Sequence, residues 1–278
     1  MTLSRTEVLS LLTKHGLAPR RSFGQNFVVD ANTVRKITRL ANICETDFVL
    51  EIGAGLGSLT LALAETGAQI VAVEIDNGLV EVLRETTSSL ANVEVIHADA
   101  LQLDWRPLLA KSQHWQVVAN LPYNVATPII AEILDRVAQV SHLLVMVQRE
   151  VAERLVASVG SPAYGAVSVK INYWATAQII ADVPASVFYP QPRVESALVD
   201  IHRRSEPGVS GVVASELFAL VRAGFSKRRK MLRRALNGIA TPENFATAQV
   251  APEARAEELD LQAWGRLCRA INGSKNYH

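Results

Sequence analysis

Short apolar runs rich in β-branched residues recur along the chain at Phe48–Ile52, Gln69–Ile75, Val93–His97, Gln116–Ala119 and His142–Val147, with helix-like stretches between them. Alternation of this kind predicts a parallel sheet covered by helices on both faces. Ile179–Val183 and Ala197–His202 predict further strands at one edge, antiparallel to the rest. Ser205-Glu206-Pro207-Gly208 then reads as a linker. Beyond it, Ala214–Phe225, Lys227–Leu236 and Leu261–Asn272 carry helical apolar spacing with no strand-like run among them. At the other end, Ser4 and Glu7 form a capping box for a short helix that Gly16 ends, and a basic loop, Pro19–Phe27, follows. The expected fold is α/β, a doubly wound, mainly parallel sheet over residues 1–205 with an N-terminal helical and loop extension. Residues 206–278 form a small all-helical domain.

A chain of 278 residues, 49% hydrophobic and 20% charged, has material for such a pair of domains. No apolar run approaches the ~20 residues that span a bilayer, and Arg5 and Glu7 interrupt the N-terminus before any signal-like segment, so a cytoplasmic protein without membrane contact is expected. Cys44 and Cys268 stand alone, with no ligand partner at metal-binding spacing, and read as packing residues; no metal is expected. The net charge of +1 says little about an anionic partner until its distribution is known.

The predicted strand ends carry the chemistry. Glu51-Ile52-Gly53-Ala54-Gly55-Leu56-Gly57-Ser58 lies where the first sheet strand turns into its helix, the usual ligand crevice of a doubly wound fold. Its glycines run G-x-G-x-G, with Ser58 where the dinucleotide fingerprint needs glycine. S-adenosylmethionine, which has no pyrophosphate, suits such a loop better than NAD, although a merely tight turn would look the same. Glu74, 21 residues after Gly53, ends the second strand, where an acid can accept from ribose hydroxyls; Asp99 ends the third, where one can accept from an adenine amine. Taken singly, either acid is equally a solvated strand end or a helix cap.

Asn120-Leu121-Pro122-Tyr123 at the fourth strand end separates the readings. An exocyclic adenine amine is a poor nucleophile because its lone pair is delocalised into the ring. An enzyme gains by accepting both N–H hydrogens as the nitrogen becomes tetrahedral. The Asn120 side-chain carbonyl and the Leu121 backbone carbonyl, exposed by the turn at Pro122, are candidate acceptors, and Tyr123 can stack on the ring. Stacking requires a base outside a helix. An Asn-Pro turn with a packing tyrosine would carry the same letters; the neighbouring strand ends favour the chemical reading.

In these motifs the chain resembles the ribosomal RNA adenine N6,N6-dimethyltransferase family, in its small-subunit, kasugamycin-sensitivity branch. The likeness spans nearly the whole chain and includes Gly24–Val28, Glu51–Thr60, Glu74, Asp99, Asn120–Tyr123, Val187–Ala197 and Phe225–Arg233. It implies a Rossmann-like, class I S-adenosylmethionine-dependent methyltransferase fold. The implied activity is dimethylation of the N6 amine of two adjacent adenosines, in a hairpin loop near the 3′ end of small-subunit ribosomal RNA, during subunit biogenesis. The implied partner is ribosomal RNA or the immature small subunit, acted on by a monomer. It further implies that Asn26 and Val28 contact the methionine part of the cofactor, Glu74 the ribose and Asp99 the adenine. Gln25, Gly53, Gly55, Ile75, Ala100 and Asn120 line the same site, and Phe188 covers the second face of the target base. The family usually has Leu at Val28, Pro at Ala54 and Gln-Arg-Arg-Lys-Thr over Lys227–Met231.

Arg222, Lys227, Arg228, Arg229, Lys230, Arg233 and Arg234 supply seven cations with no acid between Glu216 and Glu243. A basic helix is ordinarily a solvated face; beside a base-modifying site, phosphate contact is the better account, with Arg20 and Arg21 of the N-terminal loop as further contacts. Three alternatives share parts of this pattern. The large-subunit adenine methyltransferases of macrolide resistance would differ in the helical domain. A nicotinamide oxidoreductase has no use for Asn120–Tyr123, and a non-catalytic RNA or DNA binder would not need Asn120, Tyr123 and Phe188 intact.

Overall fold

A computed structural model describes residues 2–20 and 23–275. The chain divides into two compact units, one formed by residues up to Ala152 together with Gln178–Arg203, the other by Glu153–Ala177 together with Arg204 onward. The second unit thus takes in a stretch that the sequence pattern left within the first domain. The reason lies in packing: Tyr164, Val169 and Tyr173 share a core with Leu217, Phe218 and Trp264.

In the first unit, helix α1 (Arg5–Lys14) begins with the expected reciprocal cap, Ser4 N–H donating to Glu7 Oε2 at 2.7 Å, and the chain leaves it through Gly16 at φ 62°. Strand β1 (Phe27–Val28) and helix α2 (Ala31–Ala41) follow. The central sheet uses β2 (Phe48–Ile52), β3 (Gln69–Glu74), β4 (Val93–His97), β5 (Trp115–Asn120) and β6 (Val140–Gln148). Between them run α3 (Ser58–Ala64), α4 (Asn77–Thr87), α5 (Trp105–Leu109) and α6 (Ala126–Arg136). Helices α7 (Arg149–Val156) and α8 (Ala166–Trp174) lead to β7 (Ala175–Val183), β8 (Phe188–Tyr189) and β9 (Ser196–Arg203).

The seven-stranded sheet has the order β4-β3-β2-β5-β6-β9-β7. β2 pairs in parallel with β3 and β5, and β6 pairs in parallel with β5 and antiparallel with β9. Leu143–Val147 of β6 are fully buried, as a strand covered on both faces requires. The order runs one way from β2 to β4 and the other way from β5 onward, so the ends of β2 and β5 flank the crevice where such folds bind ligands. The sequence pattern did not predict the two-stranded ribbon of β1 and β8, which pairs Phe27 with Tyr189 and Val28 with Phe188.

The second unit contains α9 (Ala214–Ser226), α10 (Leu232–Ala235), α11 (Pro242–Ala248) and α12 (Leu261–Lys275) besides α8. The predicted helix over Lys227–Leu236 is not formed: α9 stops at Ser226, and a turn closed by Lys230 N–H to Lys227 O at 2.7 Å carries the cations to α10. Four consecutive cations repel one another on a helix. The amides of Leu232 and Arg233 donate instead to Ala254 and Pro252 carbonyls. Nor is Gly208 a free linker. Its N–H donates to Tyr173 O at 2.7 Å, and a Cβ there would lie 2.6 Å from Asn172 O. Cys268 is buried as expected, whereas Cys44 is exposed in the turn before β2. None of the described helices is long and apolar enough to cross a membrane.

Candidate active site

A cavity of about 350 Å³ opens at the carboxyl ends of β2, β3 and β5, entirely within the first unit. Its floor is the turn from β2 to α3, where Gly53 and Gly55 adopt φ 73° and 60°. A side chain at Gly53 would be strained and would also press on the Pro122 ring, 3.0 Å from the position of its Cβ. Glycine therefore lets two strand-end motifs touch, and the Gly53 amide donates to Val73 O of the neighbouring strand at 2.8 Å.

Glu74 is held by that loop. Its Oε2 accepts from Gly55 N–H at 2.8 Å and its Oε1 from the N–H groups of Ile75 and Asp76, at 2.9 and 3.0 Å. The side chain is only 5% exposed, not the open strand tip that the sequence pattern suggests. Burial pushes its carboxyl above the ordinary range, although the three backbone N–H groups pull the other way. Asp99 is less enclosed. It accepts from Leu101 N–H and Gln102 Nε2, both at 2.9 Å, and lines the cavity beside Ala100.

Asn120 ends β5 with its amide oriented: Nδ2 donates to Asn26 O at 3.0 Å, which leaves Oδ1 buried with no hydrogen-bond partner among the described residues. An unpaired buried acceptor costs roughly 1–3 kcal/mol, so it marks a place where a donor is expected to arrive. Leu121, Pro122 and Tyr123 continue the wall. The Tyr123 hydroxyl is 2.6 Å from Ser196 Oγ on β9, and burial raises its pKa. Gln25, Asn26 and Val28 close another side, Gln25 by donating to Asp76 Oδ2 at 3.1 Å.

Phe188 is not brought to the cavity wall. It is fully buried in a core with Val34 and Ile37, and its ring meets Tyr123 edge-on at 6.4 Å and 74° rather than facing it across a gap. Pairing of Phe188 with Val28 in the ribbon is what directs it inward.

Two residues at this site escaped the sequence reading. Ser196, fully buried, anchors Tyr123, and it lies inside the Val187–Ala197 motif without any sign of that contact. Glu51 lines the cavity from β2 as a buried carboxyl, bonded by Thr60 Oγ1 at 2.6 Å and pushed up to about 8 by desolvation. Its apolar neighbours in the strand concealed it.

The predicted phosphate contacts divide into three sets. Arg20, in the first unit, lies 3.3 Å from Asp76 and over the Phe23 ring, while Arg21 lies outside the described residues. In the second unit, Arg228 pairs with Glu257 at 2.5 Å and donates to Pro162 O, and Arg233 pairs with Glu253 at 3.1 Å. Arg222, Lys227, Arg229, Lys230 and Arg234 are exposed, with no acid paired to them among the described residues.

The family described as ribosomal RNA adenine dimethylase matches residues 16–272. A relative from Acidothermus cellulolyticus named ribosomal RNA small subunit methyltransferase A is 44% identical, covering 96% of this chain and 94% of its own. The protein of the same name from Streptomyces coelicolor is 42% identical over 95% of both. Among solved structures, the 23S ribosomal RNA methyltransferase ErmE superposes with a TM-score of 0.68 at 25% identity, over 89% of this chain and all of its own. A dimethyladenosine transferase from Plasmodium falciparum gives a TM-score of 0.72 at 23% identity, over 88% of this chain and 97% of its own, a likeness of fold.

Proposed function

Since the chain belongs to the ribosomal RNA adenine dimethylase family, we infer that it dimethylates the N6 amines of two adjacent adenosines in a hairpin loop near the 3′ end of small-subunit ribosomal RNA, using S-adenosylmethionine as methyl donor. The observation that carries the mechanism is the buried, unpartnered Oδ1 of Asn120. A cofactor without a pyrophosphate fits the cavity: glycine backbone rather than side chain forms its floor, and Glu74 and Asp99 offer carboxylate oxygens for hydroxyl and amine hydrogens. Gln25, Asn26, Val28, Gly53, Gly55, Ile75 and Ala100 would complete its enclosure. Bound there, S-adenosylmethionine would supply an electrophilic methyl group.

The chain's own residues do the rest. Asn120 Oδ1 and the Leu121 carbonyl accept the two amine hydrogens, localising the nitrogen lone pair as its geometry becomes tetrahedral. Asn26 locks the Asn120 amide so that oxygen, not nitrogen, faces the cavity. Tyr123, anchored through Ser196, offers its ring to an extruded adenine and fixes its plane. Phe188 supports Tyr123 from the core in this arrangement, and covers the second face of the base only after a change of side-chain conformation. In the second unit, Lys227, Arg229 and Lys230 contact RNA phosphates, with Arg222 and Arg234 beside them, and Arg228 and Arg233 shape the turn. The protein acts as a cytoplasmic monomer on the assembling small subunit. The higher identity to the relatives named for the small subunit supports that reading over a large-subunit one.

The test is incubation with radiolabelled S-adenosylmethionine and immature small subunits, followed by digestion of the RNA. Label in dimethyladenosine is expected. Label only in large-subunit RNA, or in another nucleoside, would overturn the reading.

A further inference from the structure

At the other end of the sheet's strands, away from the cavity, three neighbouring strands set a row of polar side chains side by side. Gln116 of β5 is opposite His142 of β6, and His142 is opposite His202 of β9. Asp200, two residues before His202, shares its face. One ligand atom from each of His142, Asp200 and His202 lies within 4.8 Å of the other two. The two imidazoles stack at 4.5 Å and 8°, with His142 Nε2 2.7 Å from Asp200 Oδ1 and His202 Nε2 3.0 Å from Asp200 Oδ2.

The hydrogen positions in this row follow from its far end. Asp47 Oδ2 takes the Cys44 N–H at 2.8 Å and Gln116 Nε2 at 3.0 Å. An ionised carboxylate only accepts, so Gln116 must turn its NH2 toward Asp47 and its carbonyl oxygen toward His142. That oxygen is 2.8 Å from His142 Nδ1 and also only accepts, so Nδ1 carries the hydrogen. A neutral His142 then has a bare lone pair on Nε2, pointed at a carboxylate oxygen 2.7 Å away. Two lone pairs at that distance repel, and the contact requires a positive charge between them. Either a second ring proton or a bound cation would supply it, and the second imidazole set on the same carboxylate, His202 Nε2 on Asp200 Oδ2, points to the cation.

We propose that His142, Asp200 and His202 bind a divalent transition-metal ion of the zinc class, with Gln116 and Asp47 fixing the tautomer of His142. Two imidazoles and a carboxylate suit such an ion, and a ring N–H donated to a carbonyl oxygen is the usual support of a metal-bound histidine. Bonds of about 2.0–2.2 Å place tetrahedral ligand atoms roughly 3.3 Å apart. The site therefore needs His142 and Asp200 to separate by about half an ångström, and the more exposed His202 ring to turn out of its stack and move in, because the in-plane lone pairs of parallel rings do not converge on one ion. Water fills the remaining position. The ion would tie β6 to β9, the parallel part of the sheet to its antiparallel strand, and it is remote from methyl transfer.

The experiment uses the full chain, stripped with a chelator and titrated with Zn²⁺ by calorimetry and with Co²⁺ by visible absorption, beside His202→Gln and Gln116→Ala. His202→Gln changes an exposed side chain, and circular dichroism checks that it folds. We expect one equivalent bound with a cobalt d–d band, a rise in thermal midpoint on adding zinc, and affinity lower by at least about tenfold in both variants. The same affinity and cobalt spectrum in His202→Gln as in the unmodified chain would overturn the proposal. So would no uptake by the unmodified chain, or ¹⁵N resonances showing His142 doubly protonated at neutral pH and unmoved by zinc.

Discussion

In the strand-end cavity each polar group is held from behind: Glu74 by three backbone N–H groups, the Asn120 amide by Asn26, the Tyr123 hydroxyl by Ser196. In the second unit, the turn after α9 leaves Lys227, Arg229 and Lys230 on the surface with no acid paired to them among the described residues. The contrast follows from the two tasks. Stabilising a changing nitrogen centre needs dipoles already in place in a dry site, because reorienting them costs energy at the moment of reaction. Attracting a phosphate chain needs charge more than position, and exposed, solvated ammonium groups provide it.

The largest effect that would sharpen this contrast is on the chemical step. Asn120→Ala should lower single-turnover methyl transfer by ~10²–10³ while RNA affinity changes little, because its hydrogen bond strengthens mainly in the transition state. Near-normal turnover at saturating cofactor and RNA would break the assignment of Oδ1 as acceptor. Next is Glu74→Gln, which keeps the shape and removes one charged acceptor. Cofactor affinity by calorimetry should fall roughly 10–100-fold, with secondary structure by circular dichroism intact. Unchanged affinity would mean that Glu74 serves only the loop.

Glu51 offers a stability readout of the same dry site. Its folded pKa is raised to about 8 from 4.5, so the folded state keeps a proton that the unfolded chain loses, and stability falls as pH rises between those values. The slope reaches at most about 1.4 kcal/mol per pH unit, and Glu51→Gln should remove that component in denaturant titrations from acid to mildly alkaline pH. Parallel pH profiles for the two proteins would contradict its burial as a neutral acid. The smallest effect separates the two sets of cations. Replacing Lys227, Arg229 and Lys230 with Gln should flatten the salt dependence of RNA binding by about two in log–log slope, leaving cofactor binding unchanged. Arg233→Gln, which loses a Glu253 partner, should alter it by less than one. Equal slopes for both variants would erase the distinction.

The central strands were legible because most are buried apolar runs bounded by polar residues, and the half-buried β4 shows β-branched residues instead: β2 and β4 have the bounds that their pattern predicts, and β9 is longer by one residue at each end. The strand-end chemistry was legible for the same reason, since Gly53, Glu74, Asp99 and Asn120 each sit at the end of such a run or within two residues of it. What depends on distant pairing was not. The β1–β8 ribbon is two residues per strand, too short to show alternation, and so the inward direction of Phe188 could not be read. The cation segment has helical spacing, but charge repulsion and backbone partners at Ala254 and Pro252 outweigh it. His142, Asp200 and His202 come together only through the β6–β9 register, and no spacing in the sequence signals that.

The ribbon also has a consequence for biosynthesis. Its two strands come from the beginning and the end of the catalytic unit's stretch of chain, and its first strand carries Phe27 and Val28, which wall the cavity. Contacts between segments so far apart form late, because the intervening chain must first be ordered. On a translating ribosome, β1 therefore waits without its partner while the five central strands emerge. Phe27 and Val28 gain their strand partner only when Phe188 and Tyr189 have been made. A nascent chain that stalls before that point holds the Gly-rich turn, both acids and Asn120, yet leaves β1 unpaired beside the pocket, so tight methyl-donor binding reports that the ribbon has closed.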